Sequence, residues 1–269
     1  MLETISSEAG RITARFAEWR MKGHKALIPY VTAGYPTPGE TVELLERLVD
    51  AGADVIELGV PFSDPLADGP TIQRASQQAI ARGMSLPRTL ETVAAFRARS
   101  DVPVVLFTYL NPVLAHGVER FLEESVAAGA DGLLLTDLPV GSNTELEARF
   151  ERSPLSLIRL IAPTTPPERA REIARRAQGF LYYISRTGVT GESVALREGL
   201  AREVADLRAE TKMPVAVGFG ISTPEQAAEV AAVADGVVIG SALINTLDRE
   251  GVAGAAAWLQ RIREAMDTV

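Results

Sequence analysis

Eight short apolar runs recur along the chain, at 26–33, 54–60, 103–109, 131–136, 155–161, 180–184, 214–218 and 235–239, with segments of amphipathic helical character between them. Each run has the length and continuity of a strand buried on both faces rather than of a helix. Strands that alternate with helices make a parallel α/β protein, and eight such units are the number that closes a barrel. The expected fold is therefore an α/β (β/α)8 TIM barrel, and the 269 residues match the roughly 250 that such a barrel needs. A doubly wound open sheet is the main competitor. Ahead of the first strand, Met1 to Arg20 reads as an extra amphipathic helix, with Ile5, Ile12, Phe16 and Trp19 at helical spacing. After the eighth, Gly240 to Asn245 reads as a short extra helix before the main one begins near Val252. No proline- or serine-rich linker divides the chain, so residues 1–269 are expected to form one domain. A faint repeat supports the barrel: Ala-Gly-Ala-Asp stands at 51–54 and 128–131, and Val233-Ala234-Asp235-Gly236 echoes it. At each copy a helix ends, a small residue turns the chain, and aspartate opens the next strand.

Composition removes several chemistries. A net charge of −8 argues against nucleic acid, because there is no surplus of cations to displace its counterions. The absence of cysteine excludes disulfides, thiolate metal sites and a cysteine nucleophile. No apolar stretch approaches the roughly 20 residues of a membrane span, and the amino terminus lacks the pattern of a signal peptide, so the expected compartment is the cytoplasm. Lys22 and Lys25 precede the first strand and Lys212 the seventh, at the end of the barrel opposite the usual active site, which leaves a Schiff-base mechanism without a lysine. His24 also falls at the base, and His116 follows strand three, so no transition-metal site is expected, although an all-oxygen magnesium site stays open. Proton transfer then falls to carboxylates, with tyrosine as an aid.

In Asp54-Val55-Ile56-Glu57-Leu58-Gly59-Val60, strand alternation turns Ile56, Leu58 and Val60 toward the helices and Val55, Glu57 and Gly59 into the barrel. A carboxyl buried there has a raised pKa, which suits a group that both donates and accepts protons near neutrality. The competing reading is a structural glutamate paired with an interior base such as Arg159. The following loop, Pro61 to Pro70, carries Asp64 and Asp68 among prolines and a glycine; pattern alone leaves these between catalysis and ordinary turn capping. Asp137, after strand four, is open in the same way.

Strand seven runs into Gly218-Phe219-Gly220-Ile221, and strand eight into Gly240-Ser241-Ala242. Glycine turns after these two strands, with the amino terminus of a short helix, commonly form the phosphate site of such barrels. After strand six, Ser185 to Ser193 contains Gly188 and Gly191 around a polar stretch and suits a mobile lid or a plain surface loop. Tyr30, Phe107, Tyr109, Phe180 and Tyr182 fall at or near strand ends, where several aromatics would suit a flat apolar ring.

Glu57 to Pro70, Ser185 to Gly191, Gly218 to Ile221 and Gly240 to Ala242 resemble, in order, the motifs of the tryptophan synthase alpha chain family, and the resemblance runs from about Phe16 to the end. It implies a lyase that cleaves indole-3-glycerol phosphate to indole and glyceraldehyde 3-phosphate, with no cofactor or metal in this chain. It makes Glu57 the general acid and base, and Asp68 the group that holds the indole N–H. Tyr30, Phe107, Tyr109, Tyr182 and Thr190 would contact substrate, with Tyr182 near Glu57 and Thr190 closing over Asp68. Gly191, Gly220, Gly240 and Ser241 would bind the phosphate. The implied partner is a beta chain that carries pyridoxal phosphate, in an αββα heterotetramer, with Asp64 and the loop around Asn111-Pro112 on the contact side. A stand-alone lyase that releases free indole, a non-catalytic regulatory subunit and another phosphate-binding barrel enzyme are the alternatives. Two positions depart from the pattern: Tyr30 stands where phenylalanine is expected, and Thr108 where a larger apolar residue is.

Overall fold

The computed structural model describes residues 10–184, 199–218 and 220–269. Strands β1 (Ala26–Thr32), β2 (Ile56–Gly59), β3 (Val104–Thr108), β4 (Gly132–Leu135), β5 (Ser156–Ile161), β6 (Leu181–Ile184), β7 (Val215–Gly218) and β8 (Gly236–Ile239) close in sequence order into a parallel barrel. Closure is made by β8 against β1, with Ala26 paired to Gly236 and Ile28 to Val238. Around the strands lie α2 (Thr41–Asp50), α3 (Pro70–Ala81), α4 (Leu86–Arg97), α5 (Leu110–His116), α6 (Val118–Ala128), α7 (Thr144–Glu151), α8 (Pro167–Arg176), α9 (Leu200–Thr211), α10 (Pro224–Val233) and α11 (Ser241–Met266), preceded in the chain by α1 (Arg11–Lys22). All eight expected runs contain strands, each one to three residues shorter than its run.

Alternation divides the core in two. Leu27, Ile56, Leu58, Val104, Leu106, Leu133 and Val215 pack outward against the helices. Ile28, Val55, Val105, Leu134, Ile158, Ala216 and Val238 fill the interior. The extra amino-terminal helix is present, but as Arg11–Lys22, and Ile5 lies outside the described residues. Its Ile12 and Phe16 join the interior cluster and stop the base of the barrel, each side chain adding about 1.5–3 kcal/mol of burial. Phe16 meets Phe180 with ring centroids 5.4 Å apart. Phe180 therefore belongs to the base, because it precedes β6, and not to the aromatic group expected at the mouth. Gly251 takes φ 69° inside α11 and separates a first segment from the long final one, so the short extra helix expected after β8 is present.

The aspartate repeat has a common structural role. Asp54, Asp131 and Asp235 each accept the backbone N–H of the preceding strand, from Leu27, Val104 and Val215, at 2.8, 2.8 and 2.9 Å. Each returns its own N–H to the carbonyl of that same residue, at 2.9, 2.8 and 2.8 Å. The carboxylates also meet Arg263, Arg97 and Arg208 at 3.3, 2.7 and 2.9 Å; Arg97 and Arg208 come from the helices before the clamped strands, and Arg263 from the last helix, α11. Gly52 and Gly129 of the two full copies lie at φ 98° and 90°, and a Cβ there would fall 2.6 and 2.7 Å from the stems of Arg263 and Arg97. Glycine is thus required both for its backbone and for the arginine laid over it. A fourth copy escapes the sequence pattern. Gln178 accepts Leu157 N–H at 2.9 Å and donates its amide to the Glu151 carbonyl at 3.0 Å, so a neutral side chain does for β5 what aspartate does for β1, β3 and β7. The helix α1 is tied to the same ring through Arg11–Asp131 at 3.0 Å, while the residue His24 just beyond it meets Asp54 at 2.8 Å. No helix among the described residues is long and apolar enough to cross a membrane.

Asp131→Ala would leave Val104 N–H, Arg97 and Arg11 without their acceptor. It is expected to cost about 3 kcal/mol in urea unfolding, the scale of breaking a largely buried ion pair. A double-mutant cycle with Arg97→Ala should return a coupling above about 0.5 kcal/mol. Full additivity would show that the two side chains do not act together.

Candidate active site

Glu57 occupies the middle of β2, with Tyr30 of β1 and Val105 of β3 as its lateral partners. It is 1% exposed, and among the described residues neither carboxyl oxygen has a hydrogen-bond partner. Burial alone pushes its pKa from 4.5 up to about 8. Arg159 does not neutralise it. Ile158 points inward, so its neighbour Arg159 points out, where it meets Glu147 at 3.3 Å, Glu151 at 3.2 Å and the Leu138 carbonyl at 3.1 Å. The structural pairing offered as an alternative for Glu57 is therefore absent.

Asp68 is brought over the mouth by the loop that leaves β2, and one side chain from β3's far end holds it there. The Tyr109 hydroxyl accepts Ala67 N–H at 2.9 Å and donates to Asp68 Oδ2 at 3.0 Å. Its ring lies 5.3 Å from Phe62, and Gln73 on α3 donates to the Asp68 carbonyl at 2.9 Å. Burial raises the Asp68 pKa to about 6, against the lowering effect of the Tyr109 bond. Tyr109, expected as an aromatic contact, is thus a support for the second carboxylate; Gln73 gave no signal in the sequence because an amide at a helix start is ordinary. Asp137 accepts Leu110 N–H at 2.7 Å and starts α5, which is the turn-capping role left open for it. Asp64 is exposed and takes the Ser63 hydroxyl at 2.5 Å.

Aromatic side chains wall the space beside Glu57. Tyr30 and Phe107 meet edge to face at 5.2 Å. Tyr182, on β6, is buried, and its phenol is pushed well above its ordinary pKa by burial and then by Glu57 and Asp68. Its hydroxyl lies where a Cβ on Gly218 would come within 2.3 Å, so glycine at the end of β7 makes room for it. Tyr30 is likewise raised by burial first, then by Asp68. The two carboxyls and three tyrosines share one poorly solvated neighbourhood.

The starts of α10 and α11 differ. Thr223 accepts Gln226 N–H at 3.3 Å and Gln226 accepts Ser222 N–H at 2.8 Å, so α10 caps itself. At α11 the cap position is Gly240, which has no side chain with which to cap the first-turn N–H groups. Its N–H groups and dipole are available to an anion. A Cβ on Gly240 would lie 3.6 Å from Tyr30, which puts this helix start beside the aromatic wall, while Ser241 is exposed. Gly220, at φ 82°, is exposed after β7. Thr190, Gly191, the proposed lid at 185–193 and Phe219 lie outside the described residues.

With this geometry in place, comparisons with known proteins become informative. The sequence profile described as Tryptophan synthase alpha chain matches residues 16–268. The tryptophan synthase alpha chain of Geobacter sulfurreducens is 47% identical over 260 residues, covering 95% of this chain and 98% of that one. That of Xanthomonas oryzae pv. oryzae is 51% identical, covering 96% and 98%. The crystal structure of the alpha subunit from Legionella pneumophila superposes with a TM-score of 0.88 at 40% identity, covering 97% of this chain and 99% of that one. A structure of Mycobacterium tuberculosis tryptophan synthase gives a TM-score of 0.88 at 37% identity, with 96% and 98% covered.

Two measurements test the electrostatics without reference to turnover. Folded Glu57 keeps its proton to about pH 8, whereas the unfolded chain releases it near the ordinary 4.5. Between these values the folded state binds more protons, so this residue withdraws stability as pH rises, at about 1.4 kcal/mol per unit. Denaturant unfolding of Glu57→Gln should therefore gain on the parent by roughly 3 kcal/mol between pH 5 and pH 8; a constant difference would mean that the carboxyl is not held protonated. Tyr109→Phe should move the Asp68 midpoint above about 6 in a carboxyl NMR titration, and an unmoved midpoint would remove the hydroxyl bond from the account.

Proposed function

Because the chain belongs to the tryptophan synthase alpha chain family, we propose that it cleaves indole-3-glycerol phosphate to indole and glyceraldehyde 3-phosphate by a retro-aldol step. The observation that carries this reading is the buried carboxyl of Glu57 inside the barrel, without a hydrogen-bond partner among the described residues. Protonated at neutral pH, it delivers its proton to ring carbon C3. The resulting carboxylate then takes the proton from the side-chain hydroxyl next to the ring. As that oxygen becomes a carbonyl, the carbon–carbon bond breaks and its electrons restore the aromatic ring. Glu57 ends as it began, so no cofactor in this chain is needed to balance the step.

Asp68 accepts the indole N–H and stabilises the positive charge that builds on nitrogen while C3 is tetrahedral. Its pKa near 6 leaves it charged at neutral pH, and the Tyr109 bond keeps it aimed at the slot. Tyr30, Phe107 and Tyr182 flank the ring. The uncapped start of α11, with Gly240 and Ser241, and the turn at Gly220 receive the phosphate, joined by Gly191; Thr190 closes over Asp68. The product indole passes to a beta chain that holds pyridoxal phosphate, in an αββα assembly. Support for a partner at this end comes from Leu66, 92% exposed between Asp64 and Asp68, and Leu114, 50% exposed on the helix that carries Asn111 and Pro112. A stand-alone lyase or a regulatory subunit has no specific observation in its favour. The chain works as one domain.

Glu57→Gln should still bind substrate but lose cleavage by roughly 10²–10⁴-fold or more, the scale of a missing acid–base group. Release of indole at the parent rate by the purified variant would remove Glu57 from the mechanism.

A further inference from the structure

The Tyr30 hydroxyl occupies an unusual position. Its ring leans from β1 across to β2, where the bare Cα of Gly59 leaves a notch. A Cβ at 59 would fall 2.1 Å from the phenol oxygen and 2.6 Å from Cζ, so any other residue there would push the ring aside. The residue is 5% exposed. Among the described residues its hydroxyl bonds only to Thr32 Oγ1, at 3.4 Å, near the limit of a hydrogen bond. A buried phenol so weakly bonded costs stability that a phenylalanine of the same shape would not. The root of the side chain lies near Gly240, where a Cβ would come 3.6 Å from Tyr30 Cβ and Cδ1, and the Phe107 ring stands edge to face with it. The side chain thus runs from near the start of α11 toward the carboxylates, with one incompletely bonded oxygen on the wall it shares with Phe107.

We propose that the Tyr30 hydroxyl, admitted by Gly59, is a specificity-determining group: it places a polar atom on the apolar wall of the ring slot and disfavours substrates whose ring carries an alkyl substituent against that wall. An alkyl group there would cover the hydroxyl without bonding to it and would press on a position that the notch already fills. An unsubstituted ring leaves the Thr32 contact undisturbed. This rests on the cleavage activity proposed above.

The test compares kcat/KM of the parent and of Tyr30→Phe, both as full chains, on indole-3-glycerol phosphate and on four analogues, each methylated at one carbon of the benzene ring. The parent should discriminate against at least one analogue by about tenfold or more, the scale of one methyl group in a tight pocket. Tyr30→Phe should relax that discrimination several-fold at that ring position and leave the ratios at the others unchanged. Because ratios are taken within one protein, a loss of folded enzyme cancels. Equal ratios in both proteins at every position, including the case where the parent does not discriminate, would overturn the proposal. A parent that fails to cleave the unsubstituted substrate would instead overturn the activity on which it rests, so the two failures are distinct.

Discussion

The carboxylate-to-backbone bonds at the base of the barrel are the interaction on which the rest depends. Asp54, Asp131 and Asp235 each tie their own strand to the N–H of the one before, and Gln178 does the same at β5. Register in a sheet of period two is all or nothing: a slip by one residue would turn Glu57 out toward the helices and Leu58 into the mouth. By holding a residue at the start of alternate strands, these bonds fix which side chains meet at the mouth. They also explain why charge is concentrated there. Arg97, Arg208 and Arg263 find their partners in the same aspartates, and α1 is drawn over the base by Arg11.

The opposite end follows the reverse rule. At the base every clamping carboxylate meets a cation; at the mouth, among the described residues, Glu57 has no hydrogen-bond partner and the Asp68 carboxylate accepts from the Tyr109 hydroxyl. At the base the charges are paired and hydrogen-bonded, while the mouth loses stability by keeping a carboxyl protonated out of water. That loss is what makes Glu57 a usable acid and base at neutral pH, since a paired carboxylate would be a poor proton donor there. The lysines, which could have quenched it, stand on the far side of the barrel: Lys25, for example, donates to the Ala234 carbonyl beside the clamp at Asp235.

Legibility in the sequence varied with how local each feature is. The strands were readable because a strand covered on both faces must be apolar throughout, and Glu57 is conspicuous because it interrupts such a run. The aspartate repeat is visible, but its fourth copy is not, since Gln178 lacks the charge that marks the others, although Ala177 and Gly179 flank it as Ala234 and Gly236 flank Asp235. Arg159 was offered as an interior base, although the parity of β5, with Ile158 inside, turns it outward to Glu147. Phe180 shares an apolar run with Tyr182 yet lies at the other end of the barrel, against Phe16. Each miss concerns the end or face of an element, where a shift of one or two residues changes the outcome.

The sequence by itself determined the alternation of eight strands with helices, the absence of thiol and the misplacement of lysine, the inward parity of Glu57, and motifs specific enough to indicate the family. These are properties of neighbouring residues, and neighbouring residues decide secondary structure and facing. Only the tertiary structure decided that Glu57 has no hydrogen-bond partner among the described residues, that Tyr109 holds Asp68 from 41 positions away, that α11 begins at Gly240 with no side chain to cap it, and that Gly59 makes room for the Tyr30 hydroxyl. Solvation, pairing and free space depend on whatever other segments bring to the same few ångströms, and closing the barrel is what brings them there.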